Sequence, residues 1–281
     1  MKTIGFADFY ISEWHANNYP AWIEEANREL GFDYALKYAW AEQYVSPVDG
    51  VNTDEWCEKY GVTRANSLKE LCERCDAIIL LAPSNPEKHI VYAKEVLTFG
   101  KPTYIDKPFS DKVADAKEMF SLAEKYGTPF FSSSALRYAT ELDEVGECSA
   151  VSTLGGGSNL EEYIIHQVEM AVKKLGIGAE SVRAENIGEK QTIITVNYKN
   201  GKKAAMHFAQ GAPFSVIMEA VEGNVAVKNV TSAFFPALLK DVLTFFEGGK
   251  TSFNTEETLE VNRIMTAAIK AKNNPETTII I

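Results

Sequence analysis

The chain has 281 residues, 46% hydrophobic and 24% charged, with a formal net charge of -11. That composition supports a large core and excludes a wholly disordered chain. The acidic balance, with no lysine- or arginine-rich run, argues against a nucleic-acid or anionic-membrane partner, since both need clustered positive charge.

The opening MKTIGFAD passes directly into a strand pattern with no secretory leader. The longest apolar run, AIILLAP at 77–83, falls far short of the roughly 20 residues that span a bilayer. These features predict a cytoplasmic protein. Cys72 and Cys75 form a C-x-x-C, but Cys57 and Cys148 supply no second pair at metal-ligand spacing. The four therefore read as ordinary thiols, with no metal expected.

In chain order, the strand-like TIGFAD leads into a helical NNYPAWIEEANREL and then the strand-like DYALKYAW. Helical stretches at 52–61 and 67–75 precede the buried run at 77–83. A helix at 86–100 ends at Gly100, with Pro102 as a stop signal. PTYID is a short strand, the helix at 111–127 closes at Gly127, and TPFFSSSAL reads as one more strand. Such alternation predicts an α/β N-terminal domain, a doubly wound, Rossmann-like parallel sheet over 1–132. From about residue 133 a helix, SNLEEYIIHQVEMAVKKLG, precedes alternating runs at 191–210, 215–223 and 224–230, with an Asn-Gly hairpin signal in KNGK. Helices at 235–249 and 255–274 and a terminal TTIII complete the chain. This half, 133–281, predicts an α+β domain with a largely antiparallel sheet and helices on one face.

Two stretches carry candidate chemistry. Asp106, Lys107 and Pro108 follow a buried strand at its C-terminal end, the rim where open doubly wound sheets bind ligands. Pro108 keeps Lys107 out of the helical region. A lysine there can hydrogen-bond a hydroxyl and ease its deprotonation; a solvated turn lysine is the alternative. In the second stretch, Ser158 and Glu161 have capping-box spacing. Glu162, His166, Glu169 and Lys173 share one helical face opposite an apolar one. Glu162, one turn before His166, can orient the imidazole for acid/base work; a solvated polar stripe has the same pattern.

Taken with the order of elements, these stretches resemble the glucose-fructose oxidoreductase and inositol dehydrogenase family, Gfo/Idh/MocA. The resemblance covers most of the chain, including APSNPEKHIVYAKEVLTFGKPTYIDKPFSDKVADAKEMFSLAEKYG and the late FFPALLKDVLTFFEGGKTSFNTEETLEVNRIMTAAIKAKNN. It implies an NAD- or NADP-dependent oxidoreductase moving a hydride to or from a secondary alcohol of a sugar, cyclitol or similar polyhydroxylated molecule. Lys107 matches the family's Lys-Pro lysine and His166 its acid/base histidine, with Glu162 in place of an aspartate. Pro83, Ser84, Asn85 and His89 match the strand-end segment lining the cofactor, beside Asp106. Arg137, Tyr163 and His207 are the implied substrate contacts. The resemblance also implies a second domain that binds substrate and pairs chains into a homodimer or homotetramer.

The first loop departs from this pattern. The positions of Gly-x-Gly-x-x-Gly read Gly5, Ala7 and Tyr10. Either Asp8 to Ile11 bulge and Ser12 caps a helix starting at Glu13, leaving a seat for a pyrophosphate, or Tyr10 fills that seat. Asp8 and Glu13 would add negative charge beside any phosphate. After the second strand, Glu42 is the acid available for a ribose and Trp40 a platform for adenine. With no arginine nearby, NAD is favoured over NADP. Two further readings stay open: elimination or hydrolysis with a retained cofactor, and a cofactor-free binding or regulatory protein.

Overall fold

The structure is a computed structural model that describes residues 1–275 and 277–281. The chain divides into two compact units, Met1–Ser133 with Phe235–Phe253, and Ser134–Phe234 with Asn254–Ile281. The cut at 133/134 is one residue from the expected boundary. The segment Phe235–Phe253, however, was expected in the second domain and packs in the first unit.

In the first unit, strands β1 (Lys2–Asp8), β2 (Tyr34–Ala41), β3 (Thr63–Arg64), β4 (Ala77–Leu80), β5 (Thr103–Ile105) and β6 (Phe130–Phe131) form one parallel sheet of order β3-β2-β1-β4-β5-β6. The crossovers are α1 (Trp14–Leu30), α2 (Thr53–Tyr60), α3 (Leu68–Arg74), α4 (Glu87–Val96) and α5 (Val113–Tyr126). Helices cover both faces of such a sheet, so β4 is buried at all four residues and its sequence shows no alternation. Strand order reverses between β1 and β4, the switch point beyond which ligands bind. At Gly5 a Cβ would lie 2.7 Å from Cys75 Sγ and 2.9 Å from Leu71 Cγ. This glycine therefore lets the α3 segment approach β1, rather than letting a phosphate approach the loop. The expected strand TPFFSSSAL is shorter than its apolar run suggested: β6 holds two residues, and Ala135–Tyr138 forms a 3-10 helix that Ser134 caps.

The second unit contains β7 (Cys148–Gly155), α6 (Leu160–Leu175), β8 (Ala179–Gly188), β9 (Gln191–Tyr198), β10 (Lys203–Ala209), β11 (Ser215–Ala220) and β12 (Val225–Asn229). Helix α7 (Phe234–Gly248) runs almost wholly in the first unit, and α8 (Glu256–Asn273) and β13 (Ile279–Ile280) return to the second. Among the described residues, the sheet order is β12-β11-β7-β10-β9-β8-β13, with β7 and β10 parallel and the other pairs antiparallel. Alternate residues of the strands, such as Val182, Ala184, Ile194, Val196, Ala204 and Met206, join α6 and α8 in one core. Strands β7 and β8 were not expected, because polar residues at outward positions, such as Ser149 and Ser152 in β7 and Glu180, Arg183 and Glu185 in β8, dilute the apolar pattern.

Two local expectations are corrected. Helix α6 is capped by Asn159, which accepts from the Glu162 amide at 2.9 Å, so the cap sits one residue after Ser158, and Glu161 instead pairs with Lys272. The face carrying His166 and Glu169 is buried rather than solvated, as is the apolar face opposite. Helix α7 leaves its neighbours in sequence because its aromatic residues have partners in the first unit. Phe235 stacks on Trp22 at 5.0 Å, Phe245 meets Phe131 at 4.9 Å and Phe246 meets Tyr34 at 6.0 Å.

Candidate functional site

In the first unit the candidate residues gather at the carboxyl ends of β1, β2, β4 and β5. Residues 9–13 lead from β1 into α1, with Phe9 and Tyr10 half-buried and Ile11, Ser12 and Glu13 buried. Ser12 does not cap the helix: its hydroxyl donates to Asp49 Oδ2 at 2.7 Å, and its carbonyl accepts from the Ser46 hydroxyl at 2.8 Å. Glu13 is the cap, its carboxylate accepting from the amides of His15 at 2.8 Å and of Ala16. The longer side chain reaches back over the first turn, and a negative charge suits the positive end of the helix dipole. Ala7 and Ile11 are buried. Tyr10 is half-buried, with its ring edge-on to Phe9 at 5.9 Å.

Asp8 lies wholly inside. Its Oδ1 accepts from the amides of Phe9 at 2.7 Å and Ala82 at 3.0 Å, tying β1 to the turn after β4, where Ala82 has φ +71°. Its Oδ2 is buried without a hydrogen-bond partner. Burial, and then the charge of Glu13, push the Asp8 carboxyl well up, against the two amides that favour its ionised form. Asp106 is equally buried: Oδ1 accepts from Tyr104 at 3.1 Å and Tyr19 at 3.4 Å, while Oδ2 lies 3.8 Å from His15 Nδ1. Neither Glu13 as the cap nor His15 was singled out in the sequence, where Ser12 offered the commoner capping type.

The remaining cofactor candidates divide between surface and interior. Glu42 stands exposed at the end of β2, where its carboxylate meets Lys88 Nζ at 2.5 Å and accepts from Tyr92 at 2.8 Å. Partial burial raises its carboxyl, but these two partners outweigh that and leave it below the usual range. The half-buried Trp40 meets the Tyr92 ring edge-on at 5.3 Å. After β4, Pro83 is buried, Ser84 is exposed and Asn85 donates to Glu87 at 3.1 Å. His89 does not line a surface. It is 0% exposed, with Nδ1 on the Phe109 carbonyl at 3.0 Å and Nε2 on the Leu81 carbonyl at 2.5 Å. It braces the end of β4 against the segment carrying Lys107, which is half-buried and joined to Pro108 by a cis peptide.

In the second unit, His166 is 8% exposed and its Nδ1 lies 2.7 Å from Ser134 Oγ. Glu162, expected to orient this ring, is bonded instead to Asn159. Ser134 was not foreseen, and with 32 residues between the partners no sequence pattern links them. The rings of Tyr163 and Phe214 stand edge-on to His166 at 5.7 and 5.5 Å. His207 is half-buried on β10, with Nε2 3.0 Å from Gln191 Oε1. Arg137, expected to meet a substrate anion, is 5% exposed and engaged by two carboxylates, its Nε donating to Glu169 and Nη2 to Glu257 at 2.8 Å.

A dinucleotide fits this first unit in part. Trp40 and Glu42 stand at the end of β2, near the switch point, whereas the first-turn amides that would seat a pyrophosphate hold Glu13. Among the described residues, no group of three or more His, Cys, Asp or Glu could hold a metal ion, and no helix is long and apolar enough to cross a membrane.

Comparison with known proteins agrees with this architecture. The sequence model of the Gfo/Idh/MocA family, described as an oxidoreductase family with an NAD-binding Rossmann fold, matches residues 43–133. The uncharacterized oxidoreductase YhhX of Escherichia coli K12 is 34% identical over 68 residues, which are 23% of this chain and 20% of that protein. A probable dehydrogenase from Thermotoga maritima superposes with a TM-score of 0.80 at 14% identity, over 99% of this chain and 98% of that one. The scyllo-inositol dehydrogenase of Lactobacillus casei, solved with NAD(H) and scyllo-inositol, gives 0.75 at 12% identity, over 99% and 98%. These two likenesses are of fold. The chain thus carries the Gfo/Idh/MocA sequence signature over residues 43–133 and is similar in fold to such dehydrogenases over nearly its whole length.

Proposed function

We propose that the protein is an NAD-linked oxidoreductase acting on a secondary alcohol of a sugar, cyclitol or similar polyhydroxylated small molecule. The observation that carries this reading is His166, a nearly buried imidazole fixed through Nδ1 by Ser134 at 2.7 Å. With Nδ1–H donated to Ser134 Oγ, Nε2 keeps its lone pair and takes the hydroxyl proton as the substrate C–H bond breaks. Lys107, which matches the Lys-Pro lysine of the family pattern, is the cation proposed to stabilise developing negative charge on a substrate oxygen. Bound NAD supplies the hydride acceptor. The residues assigned to substrate are then Lys107, His166, Tyr163 and His207. Ser134 takes the orienting role first given to Glu162, and Arg137 stays with its carboxylates.

Glu42 favours NAD over NADP, because a carboxylate at the end of β2 repels a 2'-phosphate. For the assembly, the outward face of β11 and β12 carries exposed Ile217, Val225 and Val227, and a second copy of the chain is the proposed cover.

Titration with NAD, NADH, NADP and NADPH, followed by tryptophan fluorescence, tests the reading. NAD(H) binds and NADP(H) binds more weakly. Lys107→Ala abolishes turnover of a polyol substrate while NADH binding stays measurable. Failure of all four nucleotides to bind at millimolar concentration overturns the proposal in favour of a cofactor-free binding protein.

A further inference from the structure

The first turn of α1 presents the amides of Trp14, His15 and Ala16 before the first intrahelical bond, from Asn17 to the Glu13 carbonyl at 3.0 Å. Three free amides at the positive end of a helix are what a Rossmann fold offers a pyrophosphate. Here two of the three are taken, His15 at 2.8 Å by Glu13 Oε2 and Ala16 by Oε1. The carboxylate is 93% buried (side-chain exposure 7%), and Oε2 lies 3.1 Å from His15 Nδ1. It is therefore a seated anion rather than a surface cap. The loop bringing it there is fixed by Asp49 and Ser46 on Ser12 and by the buried Ile11. Asp8 Oδ2, buried and without a hydrogen-bond partner, adds a second acid to the same strand end.

We infer that Glu13 is a built-in occupant of the pyrophosphate seat, so that Glu13 and a dinucleotide compete for the same helix-terminal amides and this residue sets cofactor affinity. The inference rests on the NAD-linked reading. A phosphate oxygen and the carboxylate cannot both accept from His15 N–H and Ala16 N–H, so cofactor entry requires the Glu13 side chain to rotate away. The cofactor is then bound weakly by this chain, and readily exchanged, compared with a chain whose amides stand free.

The test measures NADH affinity by fluorescence titration, with thermal unfolding in parallel, for the unaltered protein, Glu13→Gln and Glu13→Ala. Gln keeps the length and removes the charge, and it decides the matter if the Ala variant fails to fold. The expected result is NADH binding at least about tenfold tighter in both variants, since a charge-assisted competitor has been removed. The expected unfolding temperature of Glu13→Ala is lower without ligand, and inorganic pyrophosphate alone raises it, while having little effect on the unaltered protein. If the unaltered protein binds NADH and the variants bind it equally or less well, Glu13 is a helix cap only. In that case the inference falls and the NAD-linked reading stands. If neither the unaltered protein nor either variant binds any of the four nucleotides, both fall.

Discussion

In the second unit, Arg137 lies between Glu169 and Glu257, while Glu141 gathers the amides of Thr231 and Ser232 and the Ser232 hydroxyl. In the first unit, Asp8, Glu13 and Asp106 converge on the strand ends around His15. Both sets are buried, but one is matched charge for donor and the other leaves two carboxylate oxygens, Asp8 Oδ2 and Asp106 Oδ2, without hydrogen bonds. A buried charge is tolerable when paired and costly when not. The matched set is what holds a core together. The crowded set opposes folding, and it lies at the strand ends near the switch point, the region where open doubly wound sheets generally take ligands.

Three substitutions test this contrast. The largest effect is expected from Arg137→Ala, which strands Glu169 and Glu257 and destabilises the protein by about 3–5 kcal/mol. Urea unfolding measures it, and a loss below about 1 kcal/mol would show that the cluster is not matched in the sense described. Next is Glu141→Ala, expected to cost about 2 kcal/mol near neutral pH through lost hydrogen bonds to a charged acceptor. Although burial raises its carboxyl, Ser232 and the neighbouring amides draw it down to about 2. The stability it contributes is therefore present above its ordinary value of 4.5 and is lost as pH falls through about 2. Acid unfolding of the two proteins should accordingly converge. Smallest is Asp8→Asn, expected to stabilise by about 1 kcal/mol at neutral pH, on the scale of single stabilising changes. Its sign is opposite: a carboxyl raised in the folded state favours folding while protonated, and that advantage is lost as pH rises through its folded value. The unaltered protein should lose stability relative to Asp8→Asn as pH rises above the ordinary aspartate range, and parallel melting curves across pH would sink the assignment.

The parallel sheet was legible because its parts are local. β4 is a continuous apolar run, and α5 ends at Gly127 with φ +65°, a position that favours glycine. Lys107 and His166 were singled out through spacing and family pattern, and the burial of His166 was not foreseen from either. What escaped depended on partners far along the chain. Ser134 meets His166 only in the fold, and Arg137 reads as a free cation until Glu257 is brought to it. Glu162 and His166 are one turn apart, yet Asn159 competes successfully for the glutamate. At the first loop two readings were open, a bulge with Ser12 as the cap or a seat filled by Tyr10; in the structure Glu13 is the cap, because its carboxylate reaches helix amides that a serine already held by Asp49 does not.

The return of α7 to the first unit has a consequence for how the protein can be divided. Neither unit is one continuous stretch of chain: the segment that completes the Rossmann-like half, Phe235–Phe253, is made about a hundred residues after the rest of it. A fragment stopping at Ser133 would leave Trp22, Tyr34 and Phe131 without Phe235, Phe246 and Phe245. Removing 235–253 from the other half would cut the link to α8. During synthesis the first half therefore waits, with an aromatic face uncovered, until most of the second has been made.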